Sequence, residues 1–336
     1  MKKTFFRFLA LALACALCMT FFVACSSSQE TVEKDIFFSK WQADIKDDAL
    51  LKNIVIAGSH DAGTVTMTSM ACTQSSDIKS QLKAGARYFD LRVAKSGDEY
   101  KMFHGPIKGV AFEPIANDIK AFLVEFPTET LILDFQHFEN SKEGTLAIIE
   151  KVGLDKLAIK NTSTLSELDF VDTLTLGQCR GKALILWGDR EDGDYFGRDY
   201  LFRRNNDGGS LVGAALDSYY DSGLQKLESA KFISQALPNY YNRFANKNKG
   251  LFVLQGQLTS PYLGSLKELE DGHSANMSAF VNSLASDKDK LAVTNIIMRD
   301  FVTDGRKIEE IISLNLAKGL VKESSIVQFQ SKTKLA

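Results

Sequence analysis

The sequence predicts an α/β barrel in one domain, irregular in its helices. Two observations point there. Short apolar runs alternate with amphipathic stretches from Asn53 onward, and most of those runs are continuously apolar rather than alternating, as in strands covered on both faces. Seven or eight such runs lie in one uninterrupted body, more in keeping with a closed barrel than with the alternative, a doubly wound sheet. No glycine-rich phosphate loop and no repeat of fixed period is visible.

The chain has 336 residues and begins with a segment that is not part of that body. Lys2, Lys3 and Arg7 form a positive region, an apolar stretch runs from Phe8 to Ala24, and a polar run starts at Ser26. Residues 1–24 read as an export signal. Phe22-Val23-Ala24-Cys25 resembles a lipobox, which makes Cys25 the expected lipid anchor; an ordinary cleaved signal is the other reading. Residues 25–39 would be a polar tether and residues 40–336 the folded body. Loss of Lys2, Lys3 and Arg7 takes the formal charge from −2 to −5, a poor balance for a nucleic-acid partner. The chain is expected to act as a monomer. Of five cysteines, Cys15 and Cys18 leave with the signal, and Cys72 and Cys179 are read as isolated thiols.

The expected strands are Asn53–Ala57, Tyr88–Ala94, Lys101–Phe103, Leu131–Phe135, Lys182–Trp187, Leu211–Leu216, Leu251–Gln255 and Val293–Met298. The expected helices are Ser76–Ala84, stopped by Gly85, then Pro114–Phe126, Lys142–Val152, Gly223–Ala236, Ala275–Ala285 and Lys307–Ala317. The aromatic and charged stretch Asp189–Gly209 reads as a lid or interfacial element, or equally as a solvated loop. Pro238–Phe244, with Tyr240 and Tyr241, is a second such stretch.

A barrel places its chemistry at the carboxyl ends of the strands. There the sequence sets His60 and Asp61, Asp90 and Arg92, His104, Asp134, Asp189 and Arg190, Asp217 and Tyr219, and Arg299 and Asp300. Asp90 and Arg92 are two apart on a strand and share a face. Two histidines and an arginine supply what cleavage of a phosphodiester by an internal hydroxyl requires: a base, an acid and a fixed positive charge. Each residue also has a plain reading. Asp189 is taken as a turn residue, and His137 and His273, of the four histidines, as surface or internally satisfied groups.

At these residues the chain resembles the X-domain family of phosphatidylinositol-specific phospholipases C in its bacterial, metal-independent form. The matching pieces are Gly58-Ser59-His60-Asp61-Ala62-Gly63-Thr64, Phe89-Asp90-Leu91-Arg92 and His104-Gly105-Pro106. Thr128 to Leu133, Gly181 to Leu186, Asp217-Ser218-Tyr219 and Ile297 to Phe301 follow in order. The resemblance implies a distorted TIM barrel acting on an inositol phospholipid at a membrane surface. It implies His60 as the base for the inositol 2-hydroxyl, Asp300 as the carboxylate that orients it, and His104 as the acid for the leaving diacylglycerol oxygen. Asp90 would lie near that acid, Asp61 would assist the acid side, and Arg92 would neutralise the phosphate. No cofactor is expected, because Arg92 supplies the charge that calcium supplies in other relatives. The alternative is a calcium-dependent phosphodiesterase whose oxygen ligands are Asp61, Asp90 and Asp134. Asp217 and Tyr219 match residues that contact the inositol ring. Gln136 and Phe138 stand where the family carries a Lys and a Glu, and Trp187-Gly188-Asp189 replaces an expected Arg, leaving Arg190 as its nearest substitute. A third reading is a catalytically idle surface lipoprotein that binds head groups.

Overall fold

The structure is a computed structural model that describes residues 36–188, 198–205, 214–245, 249–260 and 263–333. Ten strands follow in chain order: β1 (Ile56–Ser59), β2 (Tyr88–Ser96), β3 (Glu99–His104), β4 (Ile107–Ala111), β5 (Leu131–Glu139), β6 (Ala183–Trp187), β7 (Leu201–Asn205), β8 (Leu216–Asp217), β9 (Leu251–Gln255) and β10 (Ile296–Arg299). Eight of them, all but β3 and β4, form a parallel sheet. Because β1 pairs with both β10 and β2, that sheet closes on itself. The strands β1, β6 and β9 are buried at every position, as continuous apolar runs between a packed lumen and a helical coat should be.

Two strands depart from the expectation. The run Lys101–Phe103 is not a barrel stave: β3 and β4 form an antiparallel extension of β2. Conversely, part of the stretch read as a lid or loop is the stave β7. Its Arg203-Arg204 pair hides the apolar pattern, yet Leu201, Phe202, Arg204 and Asn205 are buried and only Arg203 is exposed. The rest of the lid reading, 189–197 and 206–209, lies outside the described residues. Cys25 and the segment read as an export signal also lie outside them. The strand expected at Leu211–Leu216 contributes only β8 here, since 211–213 are likewise not described.

Among the helices, Lys142–Val152 and Lys307–Ala317 stand as expected. Ile78–Ala84 starts at an Asp77 cap and stops at Gly85, whose φ of +112° suits a residue without Cβ. Gly223–Ala236 is instead broken into a 3₁₀ turn (Leu224–Lys226), a short helical turn (Ser229–Lys231) and a π turn (Phe232–Ala236). Pro238–Phe244 is no surface loop but lies in the helix Leu237–Ala245, with Tyr240 and Tyr241 buried against the core. Cys72 and Cys179 are free thiols, as read. Among the described residues no helix is long and apolar enough to cross a membrane.

The fully buried Arg87 ties the start of the described chain to the barrel, away from the carboxyl ends of the strands. It pairs with Glu129 at 2.8 Å and donates to the carbonyls of Phe38, Ser39, Leu82 and Ala86. Arg87→Met would leave Glu129 buried without a counter-charge and is expected to cost about 3–5 kcal/mol. The check is the urea midpoint of unfolding; an unchanged midpoint would show the pair to be dispensable.

Candidate active site

Two strand ends place the central pair. His60 and Asp61 follow β1, and Asp300 follows β10, its parallel neighbour. Asp61 and Phe301 both lie in the left-handed region, at φ +43° and +46°, without being glycine. Such a conformation costs a bulky side chain about 1–2 kcal/mol, so the surroundings must enforce it. They do so through one segment. Thr73 Oγ1 lies 3.0 Å from His60 O and 3.1 Å from Asp61 O, while Thr73 O accepts from Phe301 N. The Gln74 amide donates to His60 O (2.8 Å) and Arg299 O (3.2 Å), and accepts from Val302 N (3.0 Å).

The result is a 2.6 Å contact between His60 Nδ1 and Asp300 Oδ1. With Nδ1 facing a carboxylate, that nitrogen carries the proton and Nε2 is the atom free for chemistry. On the Nε2 side stand Asp61 Oδ2 at 3.6 Å, Asp90 Oδ2 at 3.9 Å and Arg92 Nη2 at 3.3 Å. Burial disfavours a proton on His60, but Asp61 and Asp300 outweigh it and push its pKa up to about 9.

Arg92 is held by both neighbouring carboxylates: Nε lies 2.5 Å from Asp61 Oδ1, and Nη2 2.8 Å from Asp90 Oδ2. Burial opposes its charge, and Asp61 and Asp90 more than restore it. The same burial raises the Asp90 carboxyl, but Arg92 outweighs it and holds Asp90 below its ordinary value. His104, the last residue of β3, reaches the group from the hairpin. Its Nδ1 lies 3.1 Å from Ala71 O and 3.3 Å from Asp61 Oδ2. Facing two acceptors, Nδ1 carries a proton, which leaves Nε2 to exchange one with a ligand.

His60, Asp61, Asp90, Arg92, His104 and Asp300 are therefore brought together, as expected; all but the buried Asp90 line one cavity of about 530 Å³. His60, Asp61 and Asp90 are the residues that could jointly offer donors to a metal among the described residues. The guanidinium of Arg92 already occupies the space between those carboxylates. Asp134 does not join them: it pairs with Arg204 Nε at 2.6 Å and accepts from Tyr88 and Gln136.

The far wall of the cavity differs from the expectation. Gln136 lines it. Asp217 and Tyr219, expected to contact a ring, are not among the residues that line the cavity: Asp217 is buried with its carboxylate 3.8 Å from Arg243, and the Arg243 guanidinium lies 4.0 Å from the Tyr219 ring centroid. β8 is only two residues long, and the residues that alternate with them, Ser218 and Tyr220, line the cavity instead. Arg190 lies outside the described residues. His137, read as a surface or satisfied residue, is exposed but faces the cavity, whereas His273 is a satisfied structural histidine between Ser229 Oγ and Gly256 O. Sequence reasoning missed Arg204, Gln255 and Gln257 as lining residues. Strand alternation would have found Arg204 had β7 been recognised.

The closed parallel barrel thus carries two histidines and an arginine together at its mouth. Residues 48–188 match the family model described as the phosphatidylinositol-specific phospholipase C X domain. Among individual relatives, it is similar to the 1-phosphatidylinositol phosphodiesterase of Staphylococcus aureus (strain Newman), 25% identical over 57% of this chain and 67% of the relative. It is also similar to the enzyme of that name from Listeria monocytogenes, 29% identical over 46% of this chain and 50% of the relative. The chain thus aligns with half to two thirds of the length of these relatives. The fold matches the solved phosphatidylinositol-specific phospholipase C from Listeria monocytogenes with a TM-score of 0.61 at 20% identity, over 83% of this chain and 98% of that one.

Proposed function

We propose that the protein is a metal-independent phospholipase C that cleaves an inositol phospholipid by internal attack of the ring 2-hydroxyl. The observation that carries this reading is the 2.6 Å His60–Asp300 contact with Arg92 beside Nε2, which is a base and a phosphate-binding cation at one point. His60 Nε2 takes the 2-hydroxyl proton and the freed oxygen attacks phosphorus. The bond from phosphorus to the diacylglycerol oxygen breaks as His104 Nε2 delivers a proton to that oxygen. The products are diacylglycerol and inositol 1,2-cyclic phosphate, with one proton gained by His60 and one lost by His104. Arg92 offsets charge on the non-bridging oxygens, which favours the crowded pentavalent phosphorus over the ground state. Because it already lies between Asp61 and Asp90, no cation is required there. Plain phosphatidylinositol and glycosylated inositol lipids both fit this chemistry. The export signal and Cys25 support a lipid-anchored protein on the outer face of a bacterial membrane.

The test is purified protein with phosphatidylinositol micelles in EDTA, followed by phosphorus NMR. Cyclic inositol phosphate is expected. No product with the chelator and restored product with calcium would favour the metal-dependent reading instead.

A further inference from the structure

Behind Asp300 lies a buried charged group that the reaction does not touch. Lys307 opens the helix Lys307–Ala317, where a positive charge opposes the helix dipole, and it is only 4% exposed. Its ammonium donates to the carbonyls of Asp300 (2.9 Å) and Phe301 (3.1 Å) and pairs with Glu270 Oε1 at 2.7 Å. Glu270, from the helix Leu266–Ser283, is shared with Arg299 of β10 at 2.9 Å. A lysine this poorly placed for its helix is held there by what it grips, and it grips both carbonyls of the left-handed turn that carries Asp300.

We infer that Lys307 is a positioning residue, which clamps the Asp300–Phe301 turn and so fixes the carboxylate that orients His60. The inference rests on the proposed role of His60 as base. The charged groups that face Lys307 are Glu270, Arg299 and Asp300; those that face His60 are Asp61, Asp90, Arg92 and Asp300. None of these except Lys307 reaches the backbone of the turn with a charge. Without the clamp, the turn keeps its bonds to Thr73 and Gln74 but loses the charged hold on its two carbonyls, and the 2.6 Å contact lengthens.

The experiment compares Lys307→Met with wild type in the Asp300 and Asp300→Asn backgrounds. The readings are kcat, KM, the pH profile and the far-downfield proton resonance of the His60 Nδ1–H. The expected result is a kcat lower by about 10–100-fold with KM changed less than about twofold, as for other groups that orient a catalytic side chain. The acidic limb of the profile should move, the downfield resonance should weaken, and no further loss should appear on top of Asp300→Asn. A folded Lys307→Met with wild-type kcat and limb, or an equal loss in both backgrounds, would overturn the inference. Should Lys307→Met not fold, Lys307→Gln and Glu270→Gln give the same readings, and wild-type kcat and limb in both would overturn it equally. If wild type itself does not cleave phosphatidylinositol, the proposed function fails, while the His60 resonance in wild type and variants still decides the positioning role.

Discussion

His60→Ala is expected to lower kcat by about 10²–10⁴-fold, the usual contribution of a positioned general base. The loss should be accompanied by a change in shape of the pH profile. A base must be neutral to accept a proton, and Asp61 and Asp300 push the His60 pKa up to about 9. In wild type kcat/KM should therefore climb with pH to about 9, and in His60→Ala that limb should disappear. The same shift has a consequence for stability. The folded pKa lies above the value of about 6.5 for a free histidine, so the proton on His60 favours the folded state. Its contribution, roughly 3 kcal/mol, is complete below pH 6.5 and is lost as the pH rises through about 9. Urea midpoints at pH 6 and pH 10 should differ less in His60→Ala than in wild type. Undiminished cyclic phosphate from the variant would remove His60 from the mechanism.

Arg92→Ala is expected to be as damaging to rate and more damaging to the fold. Loss of the cation at the phosphate should cost on the order of 10³ in kcat/KM. It would also leave Asp61 and Asp90, both fully buried at their carboxylates, facing each other without a counter-charge. Breaking a buried pair from one side costs about 3–5 kcal/mol. Arg92→Lys separates the two effects. A lysine restores charge but not the fork that spans both carboxylates, so stability should recover more than rate. Melting temperature and kcat/KM on the three proteins check this; parallel recovery of both would argue against a transition-state role.

The half of the candidate site that holds His60, Arg92 and Asp300 was legible in the sequence because its residues stand at the ends of strongly apolar strands. The runs at β1, β2 and β10 are unmistakable, and His60, Asp90, Arg92 and Asp300 take their positions from them. His104 was found for a partly mistaken reason. It ends a strand, but that strand is a hairpin laid beside the barrel, and the residue reaches Asp61 from the side. The opposite wall was not legible. β7 carries adjacent arginines, and the partner that lets Arg204 be buried, Asp134, is a tertiary fact absent from any local pattern. At β8 the difference is one of phase. Two strand residues give too little alternation to say which face Asp217 and Tyr219 take, and they turn to Arg243 while Ser218 and Tyr220 take the cavity.

The barrel closes between its first and last strands, and His60 and Asp300 sit on either side of that seam, 240 residues apart in the chain. The oriented His60 ring is therefore a property of the finished circle and of no smaller piece. As the chain is made, His60, Asp61, Arg92 and His104 are all in place long before β10 exists to bring Asp300. A nascent chain that has not yet reached β10 holds His60, Arg92 and His104 but lacks the one contact that sets the His60 tautomer, and that contact arrives with the last stave.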